Sequence, residues 1–122
     1  MNVQACTIAV IDDDSRVLES LVNLLSSFGY RTESYNSAEQ FLESGTLSRI
    51  RCIITDVEMG QMSGLGLLQF LRHGNCTVPI IIITGKPSEQ SEAFYRESGA
   101  VGFFRKPVDG DALVKLIGSV CI

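Results

Sequence analysis

Three aspartates in a row, Asp12-Asp13-Asp14, follow directly on the apolar run Ile8 to Ile11, and a further one, Asp56, ends the run Cys52 to Thr55. Glu58 adds another acid just beyond. Two like charges about 4 Å apart repel by roughly 4 kcal/mol at an effective dielectric near 20. Carboxylates gathered in one place therefore protonate, splay apart or recruit a cation. Two more short apolar runs end in groups suited to phosphate: Ile80 to Ile83 leads into Thr84-Gly85, and Val101 to Phe104 into Arg105-Lys106-Pro107. Hard carboxylate oxygens with little nitrogen or sulfur favour magnesium, which keeps several waters and takes only one or two protein carboxylates. A carboxylate beside such an ion can attack phosphorus and form an aspartyl-phosphate. In that chemistry Asp56 is the nucleophile, Lys106 and the metal neutralise the transferring oxygens, and Thr84 donates a hydrogen bond to the product; positioning and electrostatics do the work.

These groups share a site only if the elements carrying them are neighbours. Each lies at the carboxyl end of an apolar run, where open parallel α/β sheets bind ligands at the reversal of strand order. The spacing predicts strands over Thr7 to Ile11, Arg31 to Tyr35, Cys52 to Thr55, Pro79 to Thr84 and Gly102 to Arg105. The second is polar enough to be an edge, and the fourth is apolar on both faces and therefore central. Helices are predicted over Ser15 to Phe28, ended by Gly29, then after a Ser37/Gln40 capping box to about Glu43, then over Ser63 to His73 and Ser88 to Ser98, and last from an Asp109 or Asp111 cap. The inward faces expected are Val17, Leu18, Leu21, Val22, Leu25 and Phe28 in the first helix, Leu65, Leu68 and Leu71 in the third, and Leu113, Leu116, Ile117 and Val120 in the last. The fourth helix is the weakest, with only Ala93, Phe94 and Tyr95 to hold it, and should have low local stability. The alternation predicts one α/β domain over 1–122: a doubly wound, flavodoxin-like parallel sheet of five strands in the order 2-1-3-4-5, with five surrounding helices. Asp12-Asp13 and Asp56 then face each other across the gap between strands one and three.

The chain of 122 residues carries a formal charge of -4 and has no basic run able to neutralise several phosphates, which argues against nucleic-acid binding by this domain. Its apolar runs fall far short of the roughly 20 residues that span a bilayer, and Met1-Asn2-Val3-Gln4 lacks the basic and apolar regions of a signal peptide. We expect no membrane association and a cytoplasmic location. Cys6, Cys52, Cys76 and Cys121 are widely separated, with no CxxC pair and no zinc spacing, so they are expected to be reduced thiols, Cys6 and Cys52 in the core. His73 precedes Gly74 where a helix should stop, which suits interaction with the helix dipole rather than phosphotransfer.

Taken together, Asp12-Asp13, then Thr55-Asp56-Val57-Glu58-Met59 followed by Met62-Ser63-Gly64, then Ile83-Thr84-Gly85 and Phe103-Phe104-Arg105-Lys106-Pro107 resemble the receiver domain of two-component response regulators over essentially the whole chain. The resemblance implies that Asp56 accepts phosphate from a histidine kinase or histidine phosphotransfer protein. It implies that Asp13, Asp56 and the backbone carbonyl of Glu58 ligate Mg2+, with Mn2+ as a substitute and Asp12 acting mainly through water. Thr84 and Lys106 contact the phosphoryl group. As switch residues, Thr84 and Phe103 repack the fourth helix, fifth strand and fifth helix to control an output domain or effector, or to form a phosphorylation-dependent homodimer. The domain would catalyse its own phosphorylation and dephosphorylation and otherwise act as a regulator. Glu58 and Lys86 flank the water route to phosphorus in that family. One departure stands out: Gly60 occupies a position where the family often has proline, and glycine leaves φ unrestricted. Two other readings of the same fold are a phosphorylation-independent interaction module and an FMN binder. The intact site residues argue against the first, and the aspartates after strand one would repel the phosphate of the second.

Overall fold

The computed structural model describes residues 6–59, 61–85 and 91–121. The strands are β1 (Thr7–Ile11), β2 (Arg31–Tyr35), β3 (Cys52–Asp56), β4 (Ile80–Thr84) and β5 (Gly102–Arg105). They form one sheet in the order β2-β1-β3-β4-β5, every pair parallel. The helices are α1 (Ser15–Ser27), α2 (Ala38–Glu43), α3 (Gly64–His73), α4 (Glu92–Glu97) and α5 (Gly110–Val120), and a 3-10 turn, Leu47–Arg49, precedes β3. The strand order and the edge position of β2 agree with the sequence reading. Among the described residues no helix is long and apolar enough to cross a membrane.

The strand periodicity splits the core into two layers. Ala9, Ile11, Ile53, Ile80 and Ile82 pack with Phe41 of α2, Leu67, Leu68 and Leu71 of α3 and Tyr95 of α4. Ile8, Val10, Cys52, Ile54, Ile81 and Ile83 pack with Leu21 and Leu25 of α1 and Leu113 and Ile117 of α5. All four isoleucines of β4 are fully buried, each contributing roughly 1.5–3 kcal/mol relative to exposure. β3 is buried along its whole length as well and stands at the middle of the sheet.

Caps set the helix starts. Asp14, Ser37, Ser63, Ser91 and Asp109 each accept a hydrogen bond from a backbone N–H of the first turn of α1, α2, α3, α4 and α5. Asp109 therefore resolves the choice left open for the last helix. In the predicted capping box Gln40 reaches one residue further back than expected, accepting from Asn36 N at 2.7 Å. Gly29 has φ +89, the left-handed conformation that glycine adopts without a Cβ penalty, and closes α1 as anticipated. His73 Nδ1 lies 2.9 Å from Gln69 O at the end of α3, a local contact.

Several expectations need correction. Phe28 is not an inward residue of α1: the helix stops one residue earlier and the ring is 54% exposed, because the chain has already turned away at the C-cap. In α3 Leu65, Leu68 and Leu71 face the core as expected, and Leu67, which was not among the expected inward residues, is fully buried beside them. In α4 Tyr95 is buried and half-buried Phe94 packs against the same core, while Ala93 is exposed and does not hold the helix. The helix begins at Glu92, capped by Ser91 in an extended conformation, later than the expected start at Ser88, which like Lys86 and Gly60 lies outside the described residues. The cysteines were not all reduced thiols: Cys6 before β1 and Cys121 after α5 form a disulfide, with Cα atoms 6.1 Å apart, and Cys52 and Cys76 are free. Their distance of 115 residues in sequence hid a pairing that the fold creates by placing both in the core layer shared by β1 and α5.

Candidate functional site

The parallel register brings the ends of β1, β3, β4 and β5 to one edge of the sheet. Ile11 pairs with Thr55 and Asp56 with Ile83, so Asp12 and Asp56 emerge side by side at the reversal of strand order. One oxygen from each of Asp12, Asp13 and Asp56 lies within 4.8 Å of the others. Asp12 is fully buried, Asp56 is 5% exposed and Asp13 is exposed at the mouth. Asp12 is held by its N–H to Tyr35 O at 3.1 Å, and its Oδ1 accepts from Asp14 N at 2.9 Å. Asp14 is spent on the α1 cap, its Oδ1 accepting from Arg16 N at 2.9 Å.

Lys106 crosses the opening from the end of β5. Its backbone N–H donates to Thr84 O at 2.8 Å, which fixes the start of the side chain. Its Nζ lies 2.8 Å from Asp12 Oδ2 and 3.6 Å from Asp56 Oδ1. The shorter contact pairs the ammonium with a fully buried carboxylate oxygen, so Lys106 is the counter-ion of Asp12. A Cβ at position 85 would come within 3.2 Å of Lys106 Cδ, so the glycine there leaves room for the lysine stem rather than simply widening the entrance. The resulting cavity of about 240 Å³ is lined by Asp12, Asp13, Asp14, Asp56, Glu58, Gly85 and Lys106. Thr84, at the end of β4, is 1% exposed and is not among the lining residues.

The electrostatics follow from this crowding. Burial pushes the Asp56 carboxyl up to about 6, with Asp12 and Asp13 adding to the rise and Lys106 opposing it. For Lys106, burial disfavours the ammonium, but Asp12 and Asp56 outweigh it and hold the group above its ordinary value. The residues fit a divalent cation: three convergent carboxylates form a hard all-oxygen donor set carrying more negative charge than one lysine cancels.

The loop from β3 to α3 is shaped by contacts that motif reading could not supply. Thr55 Oγ1 donates to Asp56 O at 3.1 Å, Met59 is buried, and Gly64 N donates to Val57 O at 2.9 Å. A Cβ at Gly64 would run into the carbonyl oxygen of Asp56, so the start of α3 packs against the backbone of the acidic strand end. Farther off, Phe103 is half-buried and stacks on Tyr95, with ring centroids 5.4 Å apart, and the Arg105 guanidinium lies 5.8 Å from the Phe103 centroid. The two rings tie α4 to β5.

An acidic cavity at the switch point of a 2-1-3-4-5 sheet, spanned by a lysine from the last strand, is the layout of a receiver domain. Comparison with known proteins agrees, and the chain belongs to the response regulator receiver domain family, whose pattern matches residues 8–118. It is 37% identical over 117 residues to the response regulator protein TodT of Pseudomonas putida, covering 96% of this chain and 52% of TodT. It is 35% identical over 114 residues to the transcriptional regulatory protein FixJ of Azorhizobium caulinodans, covering 93% and 54% of the two. The chain thus spans about half the length of these curated relatives. Among solved structures, the response regulator StyR superposes with a TM-score of 0.88 at 32% identity, over 96% of this chain and 59% of that one.

Proposed function

We propose that the domain is a phosphorylation-activated signalling switch that takes a phosphoryl group onto Asp56 from a histidine kinase or histidine phosphotransfer protein. One observation carries this reading: Asp56 lies 5% exposed in the cavity wall, its carboxylate within 4.8 Å of two others and 3.6 Å from an ammonium. An Asp56 Oδ atom attacks phosphorus, the O–P bond forms as the donor's N–P bond breaks, and the electron pair leaves with the imidazole. Asp13, Asp56 and the carbonyl of Glu58 would hold Mg2+ or Mn2+, with Asp12 assisting through water; bound there, the ion neutralises negative charge on the phosphoryl oxygens. Lys106 supplies the second positive charge, and the transfer is promoted by such fixed charges rather than by proton transfer.

The added phosphoryl charge, about -1.5 to -2 at neutral pH, is the signal. Thr84 moves its hydroxyl toward the new oxygens, and Phe103 repacks with α4, β5 and α5. The small buried face of α4, with Tyr95 its one buried residue, supports that face as the part that yields. Its output is control of an effector or output domain, transcriptional in kind where the resemblance to FixJ extends, or a homodimer formed on phosphorylation. The reading places the protein in the cytoplasm, and assigns residues 1–122 to one receiver domain.

Acetyl phosphate with Mg2+ tests the assignment directly. Intact-mass and peptide spectra should locate one acyl phosphate at Asp56, absent from Asp56→Asn. Failure of the wild-type protein to take up the group under donor excess refutes it.

A further inference from the structure

The loop that carries Glu58 and Met59 out of the site has an anchor outside itself. Glu39 of α2 accepts a hydrogen bond from the backbone N–H of Met62, Oε2 to N at 2.8 Å, across 23 residues of sequence. The post is well founded. Ser37 Oγ accepts from Gln40 N at 3.0 Å, Gln40 Oε1 accepts from Asn36 N at 2.7 Å, and Ala38 and Phe41 flank Glu39 as buried residues. The Phe41 ring meets Tyr35 edge-on with centroids 5.3 Å apart. A carboxylate on so fixed a helix can hold a loop.

The loop needs holding. Its near end is fixed by buried Met59, and its far end enters α3 at Ser63, whose Oγ accepts from Gly66 N at 3.0 Å. Between them stand Gly60, where glycine leaves φ unrestricted, and Gln61, which is exposed. Met62 N–H is the first backbone donor after that pair, and a charged acceptor makes a shorter and stronger bond than a neutral one.

We infer that Glu39 is a positioning residue for the phosphoryl site: by taking the Met62 N–H it fixes the loop that presents the Glu58 carbonyl, and so substitutes for the backbone restriction that Gly60 does not provide. This rests on the reading proposed above for its links to metal binding and to phosphorylation, but not for its link to the loop. No chemistry is assigned to Glu39 itself. What matters is an acceptor oxygen at this place, so an amide should serve where a methyl cannot.

The test compares Glu39→Ala and Glu39→Gln with the wild-type domain. Its readouts are Met62 amide hydrogen exchange, the Mg2+ dissociation constant from NMR titration, and the acetyl phosphate dependence of acyl-phosphate formation. In Glu39→Ala, Met62 exchange should rise tenfold or more, the Mg2+ dissociation constant should rise about threefold to tenfold, and the maximal rate should fall more than half-saturation shifts. Glu39→Gln should recover most of each change. An unchanged Mg2+ constant in Glu39→Ala, or a Glu39→Gln as impaired as Glu39→Ala, overturns the inference. If wild type binds Mg2+ but never forms the acyl phosphate, the functional reading falls while exchange and metal binding still judge Glu39.

Discussion

Lys106 Nζ stands closer to Asp12 than to Asp56, 2.8 Å against 3.6 Å, although Asp56 is the residue proposed to carry phosphate. Before phosphorylation the ammonium is therefore a counter-ion for the buried carboxylate of β1. A divalent ion entering the cavity competes with it for the same negative charge. Removing the ammonium with Lys106→Met should tighten Mg2+ binding several-fold, as seen by NMR or calorimetric titration. The same change should reduce acyl-phosphate formation by at least about tenfold, because one positive charge is lost from the transferring oxygens. Weaker Mg2+ binding in the variant would show that Lys106 organises the carboxylates rather than competing.

The raised Asp56 carboxyl fixes the sign of a pH effect. With a folded-state value of about 6 against an ordinary 3.8, the folded domain binds a proton that the unfolded chain has already lost, so stability falls as pH rises through this window. Asp56→Asn removes that penalty. In metal-free buffer the variant should be more stable than wild type at pH 7 by about 1–3 kcal/mol, and the gap should close below the ordinary carboxylate value. Urea unfolding across this pH range checks it, and Mg2+ should narrow the difference at pH 7 by stabilising wild type preferentially.

Gly64 joins the fold to the site. Because a Cβ there would strike the Asp56 carbonyl oxygen, Gly64→Ala must push α3 away from β3. Overpacking of this kind costs about 1–3 kcal/mol, and more where backbone is the obstacle. Chemical denaturation should show that loss. Acyl-phosphate formation should slow even where the variant remains folded, since the displaced atom belongs to the residue proposed as acceptor.

Arg72, in the last turn of α3, donates to Cys76 O at 2.7 Å, Val78 O at 3.0 Å and Gly99 O at 2.9 Å. It joins the entry to β4 with the exit from α4, and partial burial lowers its pKa without threatening its charge. Lysine lacks the planar fork that meets several carbonyls at once. Arg72→Lys should destabilise by about 2–3 kcal/mol, measured by the shift in denaturation midpoint.

The Cys6–Cys121 disulfide closes nearly the whole chain into one loop, so Cys121→Ser should lower stability by about 2–4 kcal/mol under non-reducing conditions. Alkylation of the native, oxidised domain should mark Cys76 and spare Cys52. Burial pushes the Cys52 thiol up to about 12, leaving almost no thiolate at neutral pH. Peptide mapping reads both results, and ready labelling of Cys6 and Cys121 without reductant would refute the pairing.

How much of this was legible beforehand depended on whether a feature repeats locally. The apolar runs mark β1, β3 and β4, because a strand buried on both faces must be apolar and must end where polar groups begin, and a shorter run marks the edge strand β5; the residues just past these runs are Asp12, Asp56, Thr84 and Lys106. The edge nature of β2 was readable for the opposite reason. The few apolar residues of α4 were readable from its composition, but which ring is buried was not, since Tyr95 rather than Phe94 stacks on Phe103 of β5.

By itself, then, the sequence determined the kinds of chemical group, their order, and the parallel sheet that must gather them, since hydrophobic period and strand-end chemistry are properties of short stretches. The tertiary structure alone decided which groups touch: Lys106 on Asp12, Glu39 on the Met62 amide, Gly64 against the Asp56 carbonyl, and Cys6 joined to Cys121. Each of these joins segments distant in the chain. Such contacts depend on helix placement and side-chain packing over angstroms, which a pattern of residue types does not encode.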